Sequence, residues 1–421
     1  MGCGEVWCCR SPINPHKKDV LCWGHHYNQH QMIETLRIES FKSIAEAQFD
    51  LGQVNVFIGA NGSGKSNLLE ALAVLSAAAS GKVDPSTLAW RGARASGYFR
   101  PMFEGTTGDA ETILQASSKS SSYHVTLAAP EVGRSLPWDY KSEKLTTGKR
   151  SVADRAMLNK THSRTDPQVG FAALKIAEAS PDSPASVFLK SLAAYSIYSA
   201  DTPTLHGWTK DPQEREPIGL GGGRLAEAVG ELLDLPDQAV ALNQEFHDCV
   251  DWFESFGVIT LNVRKTQINQ RGLAFMDRFF KKEKGHWRLL SANDVNEGVL
   301  YLAFLAVLGL HPHAPNLLAI ENVDHGLNPL LAKRLMTALS ERILNAPVKR
   351  QVFLTTHNPL VLDGLPLQDK RVRLFTVDRD NSGRSVIRRF EVKDKHREMA
   401  SQGWTLSRMW INKLIGGVPD V

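Results

Sequence analysis

With 421 residues, 42% hydrophobic and 22% charged, the chain has the make-up of a globular protein long enough for two or three domains. Its 49 basic and 45 acidic residues leave a net charge of +4, a near-balance that does not by itself argue for nucleic acid. The longest apolar run, residues 299–310, falls short of a bilayer span, and the N-terminus lacks the basic-then-apolar order of a signal peptide. The expected location is therefore cytoplasmic, without membrane contact.

Residues 1–31 carry Cys3, Cys8, Cys9 and Cys22 together with His16, His25, His26 and His30. Their spacing fits no paired Cys-x-x-Cys zinc framework. Composition changes abruptly at Met32, so this segment reads as a disordered or non-native N-terminal extension. Alternation over 33–39 and 46–51 predicts two paired strands, followed by a buried strand at 54–58. That strand runs into Gly59-Ala60-Asn61-Gly62-Ser63-Gly64-Lys65-Ser66, a Gly-x-x-x-x-Gly-Lys-Ser loop, with Asn67 behind it. The glycines let backbone N–H groups approach phosphate oxygens, and a helix opening near Lys65 points its positive end at the same charge. Lys65 supplies a cation for the β- and γ-phosphates, and the Ser66 hydroxyl is placed to ligate Mg²⁺. A Gly-rich turn in an ordinary α/β fold is the bland alternative. The strand before and the helix after, with Leu68, Leu69, Leu72 and Leu75 on its inner side to about residue 79, argue against it.

A Gly/Pro/Ser-containing stretch over 81–108 bears Arg91, Arg94 and Arg100. Strands are expected at 111–116 and 123–128, then irregular structure with one helix over 130–184, and a helix-to-strand passage over 185–199. Loops at 201–203 and 219–223 precede helices at 223–234 and 237–254, the second with Val240, Phe246, Val250 and Phe253 on one face. Strands at 257–264 and 272–280 follow.

In the second half, Ser291 and Asp294 resemble a capping box before an all-round apolar helix reaching about residue 310. The polar start of that helix, Asn296-Glu297-Gly298, is a second candidate anion site. Residues 316–321 form a short apolar run ending in Glu321, the way a buried strand delivers an acid to Mg²⁺. Residues 351–359 give another buried strand ending in Thr355-Thr356-His357-Asn358-Pro359, with His357 placed as a γ-phosphate sensor.

The order phosphate loop, long insert, signature-like helix start, acidic strand and switch histidine resembles ABC-type ATPase heads of the RecF/SMC/OLD-like group. The likeness is nearest to the short-armed ATPases of bacterial anti-phage systems, since the gap after Lys65 is too short for long coiled-coil arms. The resemblance covers roughly 32–421 and implies an α/β phosphate-loop NTPase with a mixed sheet, an antiparallel β lobe and a helical insert. It divides the chain into a core at 32–80 and 285–421 with an inserted β/helical lid region at about 81–284. In such heads two subunits sandwich two ATP molecules, which implies a homodimer or higher homo-oligomer. By position, Lys65 and Ser66 hold phosphates and Mg²⁺, Glu321 is the Mg²⁺-side acid, and residues 293–298 form the signature read in trans. Leu327 and Asn328 fall at the D-loop, His357 is the switch histidine, and the Phe41-Lys42-Ser43 turn lies beside the nucleotide.

Two departures bear on turnover. Asn322 stands where the family places its general base, leaving Asp324 or His325 as substitutes, and loss of a positioned base costs roughly 10²–10⁴-fold. Asn296 replaces the usual signature Ser. After His357 the remaining 64 residues read as a hairpin (371–375 and 386–392) and a helix at 406–414, too little for an OLD-type nuclease. The expectation is therefore a separate effector protein under ATP control. Two alternatives stay open: a RecF-like ATPase binding duplex DNA through Arg91, Arg94, Arg100 and the basic 370–397 segment, or a non-hydrolysing ATP-gated scaffold. That segment has ten Lys/Arg against four Asp/Glu, as a solvated hairpin face also would.

Overall fold

The strand Val54–Ile58 sits third in a six-stranded sheet, and the rest of the fold is arranged on the two faces of that sheet. The computed structural model describes residues 31–94, 111–130, 136–157, 166–262, 269–280 and 288–417. The central sheet runs in the order Ser385–Phe390, Val372–Arg379, Val54–Ile58, Gln351–Thr356, Leu317–Ile320, Ser196–Tyr198. All neighbours pair in parallel except the Val372–Arg379/Ser385–Phe390 hairpin at one edge. Every residue of the Val54, Leu317 and Gln351 strands is buried, as expected of parallel strands covered on both faces. Successive side chains go to opposite sides. Val54, Val56 and Ile58 join one core with Tyr301 and Phe304 of the helix Glu297–Leu310. Phe57 joins the other core with Leu68, Leu72 and Leu75 of the helix Lys65–Ala79, and stacks on Phe375 at 4.8 Å.

A second sheet, wholly antiparallel, runs Ile44–Asp50, Thr35–Phe41, Thr112–Ser117, Ser121–Ala128, Asp139–Thr147, Arg150–Asp154. The N-terminal hairpin thus pairs with strands from the middle of the chain to build the antiparallel lobe. A three-stranded sheet of Leu289–Ser291, Asn269–Asp277 and Phe253–Asn262 sends Phe253, Leu273 and Phe275 into the same core as the helix Glu297–Leu310. The middle segment also supplies Ser196–Tyr198, which completes the central sheet beside Leu317–Ile320.

Several local expectations are corrected. Among the described residues of 130–184, expected as irregular with one helix, stand the strands Asp139–Thr147 and Arg150–Asp154 and the helix Phe171–Glu178. Alternation there is masked because Glu143 points inward with Tyr140 and Leu145. Its carboxylate accepts from Tyr123 Oη–H (2.8 Å) and the Phe171 N–H (2.6 Å), and burial raises its pKa. The helix expected at 237–254 ends at Cys249, and Phe253 opens a strand. Val240 is exposed, and the buried positions are Leu242, Glu245 and Phe246. The inward Glu245 pairs with Arg342 at 2.5 Å, again displacing an apolar residue from the inner face. A helix at Asp394–Ser401 was not foreseen. The loop at 219–223 is a nest whose Gly221 and Gly223 N–H groups bind the Asp211 carboxylate at 2.9 and 3.0 Å, so its anion is internal. Residues 1–30, which make up all but the last position of the expected extension, lie outside the described residues, as does Arg100.

Candidate functional site

The phosphate loop leaves the C-terminal end of Val54–Ile58 and turns through Gly62 (φ +77°) and Gly64 (φ +107°) into the helix Lys65–Ala79. Both torsions lie where a side chain is strained. The loop is clamped from outside. A Cβ at Gly59 would lie 2.2 Å from the Val377 carbonyl, and one at Gly64 only 2.0 Å from Ser385 Oγ. Ser385 Oγ in turn donates to the Ser63 carbonyl (2.6 Å) and lies 2.7 Å from Ser43 Oγ, which accepts from Asn67 Nδ2 at 2.6 Å. Gly62 faces open space, and the Gly62 carbonyl accepts from Arg379 Nε at 3.0 Å.

Lys65 is buried and donates to the carbonyls of Gly59 (2.7 Å) and Ala60 (2.8 Å). Desolvation lowers its pKa, and the carboxylates of Asp324 and Glu321 oppose that shift. The lysine therefore sits in the field of both acids that follow the strand Leu317–Ile320. The Ser66 hydroxyl is hydrogen-bonded to Glu321 Oε1, and Arg94 Nη2 lies 3.1 Å from the same oxygen. Hydroxyl and carboxylate are hard oxygen donors, the set Mg²⁺ prefers. Behind them Glu70, 3% exposed, pairs with Lys42 and accepts from the Arg94 N–H at 3.3 Å.

Asn322 adopts φ +52°, a conformation Asn tolerates better than Glu. Its N–H donates to Thr355 Oγ1 (2.9 Å) and its carbonyl accepts from Tyr301 Oη–H (3.0 Å). Asp324 is buried, accepts from Thr356 Oγ1–H at 2.7 Å and lies 3.8 Å from His357 Nε2, whose ring is half exposed. Glu321, Asp324 and His357 thus converge with Lys65 and Ser66 at one end of the parallel strands, where open α/β sheets bind ligands.

The helix start expected as a second anion site makes its own set of contacts. Asn296 caps Glu297–Leu310 by accepting from the Val299 N–H at 3.1 Å. Glu297 is hydrogen-bonded by Thr202 Oγ1 and lies 2.8 Å from His325 Nε2, and a Cβ on Gly298 would be 3.0 Å from the Gly326 carbonyl. Asn328 caps Pro329–Asn345 through the Leu331 N–H at 2.9 Å. No described contact joins 296–298 to the phosphate loop of the same chain. Ser385, Arg379 and Thr202 were missed by sequence reasoning because none lies in a motif. Arg91, expected as a surface cation, is 4% exposed and donates to Ser76 Oγ (2.7 Å), Thr87 O (2.9 Å) and Ala193 O (3.1 Å). Its role is internal, and a DNA footprint at this position is corrected. In the basic C-terminal segment Arg371, Arg388, Arg389 and Arg397 each pair with a nearby acid.

A phosphate loop on a parallel strand, its serine meeting an acid delivered by a neighbouring strand, and an antiparallel lobe together define an ABC-type ATPase head. Residues 54–133 and 136–363 match the family described as "AAA domain, putative AbiEii toxin, Type IV TA system", and the chain belongs to that family. It is 42% identical over 67 residues to an uncharacterized protein of Methanocaldococcus jannaschii, of which it covers 31%. It is 50% identical over 42 residues to the DNA replication and repair protein RecF of Salinibacter ruber, of which it covers 10%. The chain thus spans less than a third of either curated relative. Similar solved structures include an SMC head bound to the C-terminal winged-helix domain of ScpA (TM-score 0.49, 14% identity, 87% of this chain and 99% of that one). The SMC head domain from Thermotoga maritima gives a TM-score of 0.43 at 14% identity, with 86% and 99% covered. Among the described residues no helix is long and apolar enough to cross a membrane.

Proposed function

We propose that this chain is an ATPase that dimerises around ATP and governs a separate effector protein in a toxin–antitoxin or anti-phage system. The observation that carries the ATPase reading is the meeting of Ser66 with Glu321, 255 residues apart in sequence, beside a lysine set in the field of Glu321 and Asp324. Gly59 to Asn67 bind the triphosphate through loop N–H groups and Lys65, and Ser66 with Glu321 hold Mg²⁺. The metal supplies charge neutralisation of the phosphates. Asp324 is the general base in our reading. It is buried, its field reaches Lys65, and Thr356 and His357 hold it in place. His357, half exposed, senses the γ-phosphate.

Asn296, Glu297 and Gly298, whose described contacts are with Val299, Thr202, His325 and Gly326, serve the nucleotide of a second copy as the signature. The effector assignment rests on the family description, which refers to a toxin system. Light scattering with Mg²⁺ and a non-hydrolysable ATP analogue tests the dimer. The expected result is twice the 46.5 kDa chain mass for the wild type and a monomer for Lys65→Ala. Equal masses with and without nucleotide would overturn it. One observation favours a second reading, a non-hydrolysing scaffold: Asn322 occupies the usual base position in a left-handed conformation suited to Asn. ATP would then close the dimer without being consumed, and Asn322→Glu would create turnover where the wild type shows none.

A further inference from the structure

Next to the signature turn stands a large aromatic side chain that the ATPase reading leaves without a role. Trp208 is 63% exposed, yet it is fixed in orientation. Its indole Nε1–H donates to Asn293 Oδ1 at 2.6 Å, and its ring lies parallel to that of His206, with centroids 4.4 Å apart and planes 12° from one another. His206 is anchored as well, with Nδ1 2.8 Å from the Ala292 carbonyl. Immediately before His206, the short helix Thr202–Leu205 ties Thr202 to Glu297 of the signature. The pair also walls a cleft of about 170 Å³ shared with Arg271 and Asn293. Residues 202–208 therefore follow the signature turn along its length and end in a braced aromatic plate.

A single exposed tryptophan is ordinary on a protein surface; what sets Trp208 apart is that it is braced. One held at two points keeps its π-face presented, with no rotamer freedom left to lose on binding. We propose that Trp208, backed by His206, stacks on the adenine of the ATP held by a second copy's phosphate loop. This rests on the dimer reading above: if Asn296 to Gly298 meet the partner nucleotide's γ-phosphate, a plate anchored on Ala292 and Asn293 is the neighbouring feature that can meet its base. The site would take a purine nucleoside triphosphate, with phosphate and base read by adjoining parts of one surface.

The test uses the full chain with Mg²⁺ and etheno-ATP, whose emission falls when its base stacks on an indole. The dimer dissociation constant is measured alongside by sedimentation equilibrium. The wild type should dimerise with quenched emission. Trp208→Ala should dimerise ~10-fold more weakly, the loss expected of one base–aromatic stack, and the dimers that form should stay bright. Trp208→Phe should keep most of both signals, which guards against misfolding as the cause. Unchanged dimerisation and quenching in Trp208→Ala would overturn the proposal. Weaker dimerisation with unchanged quenching would also overturn it, making Trp208 a protein–protein contact. A wild type that stays monomeric with nucleotide would overturn the dimer reading itself, an outcome distinct from either.

Discussion

Alanine at Gly64 and at Gly62 forms a matched pair that separates backbone strain from steric conflict in the phosphate loop. Both glycines have positive φ, +107° and +77°. A left-handed torsion costs an L-residue about 1–2 kcal/mol. At Gly62 that is the whole effect, since a Cβ there meets nothing within 4 Å. At Gly64 the new methyl would sit 2.0 Å from Ser385 Oγ and drive that hydroxyl out. Its contacts with the Ser63 carbonyl and Ser43 Oγ go with it, at about 1 kcal/mol each. Gly64→Ala should therefore lose about 3–4 kcal/mol and Gly62→Ala about 1–2, read from denaturant midpoints. A cycle with Ser385→Ala sharpens the test. Alone, Ser385→Ala should cost about 2 kcal/mol, but in the Gly64→Ala background only a fraction of that, because the bonds are already gone. Equal losses at the two glycines, or strict additivity with Ser385→Ala, would refute the clamp.

Other outcomes follow from the same contacts. Asp324→Asn should slow ATP turnover by about 10²–10³-fold while leaving ATP affinity within a few-fold; equal turnover would remove Asp324 as base. Asn322→Glu should destabilise the chain by about 1 kcal/mol through its left-handed backbone, and in our reading adds no more than a few-fold to turnover, whereas a gain from zero would favour the scaffold. Arg342→Leu leaves the Glu245 carboxylate buried and unpaired, at a cost of about 3–5 kcal/mol near neutral pH. Burial already raises the Glu245 pKa, and Arg342 opposes that rise. Without Arg342 the folded state holds a proton that the unfolded state has released, so stability falls as pH rises from the ordinary glutamate range through the folded pKa. The loss should be smaller at about pH 5 than at about pH 8, and a pH-independent loss would count against the assignment.

How far the sequence could be read depended on whether a feature is local. Strand, loop and helix from Val54 to Ala79 are contiguous, so period and glycine placement mark them, and the structure has the strand at Val54–Ile58 and the helix at Lys65–Ala79. The acid-bearing and histidine-bearing strands were legible as short apolar runs because parallel strands bury both faces. Ser385 and Arg379 were not, since what gives them a place is a hairpin folded back onto a loop some three hundred residues earlier. Residues 139–147 and 237–249 misled because Glu143 and Glu245 turn inward, and an apolar-face count reads a buried carboxylate as solvent-facing. Arg91 erred in the same direction, since its guanidinium holds Ser76, Thr87 and Ala193 inside the fold.

In our reading the Ser66–Glu321 pair, Lys65 and Asp324 form one site for Mg²⁺ and ATP chemistry. Single-turnover hydrolysis of ATP by the purified chain with Mg²⁺, beside Lys65→Ala, Glu321→Gln and Asp324→Asn, tests it most directly. We expect measurable turnover in the wild type, loss of binding in Lys65→Ala, loss of Mg²⁺ dependence in Glu321→Gln, and binding without turnover in Asp324→Asn. Wild-type turnover that survives in all three variants would place the chemistry elsewhere and contradict it.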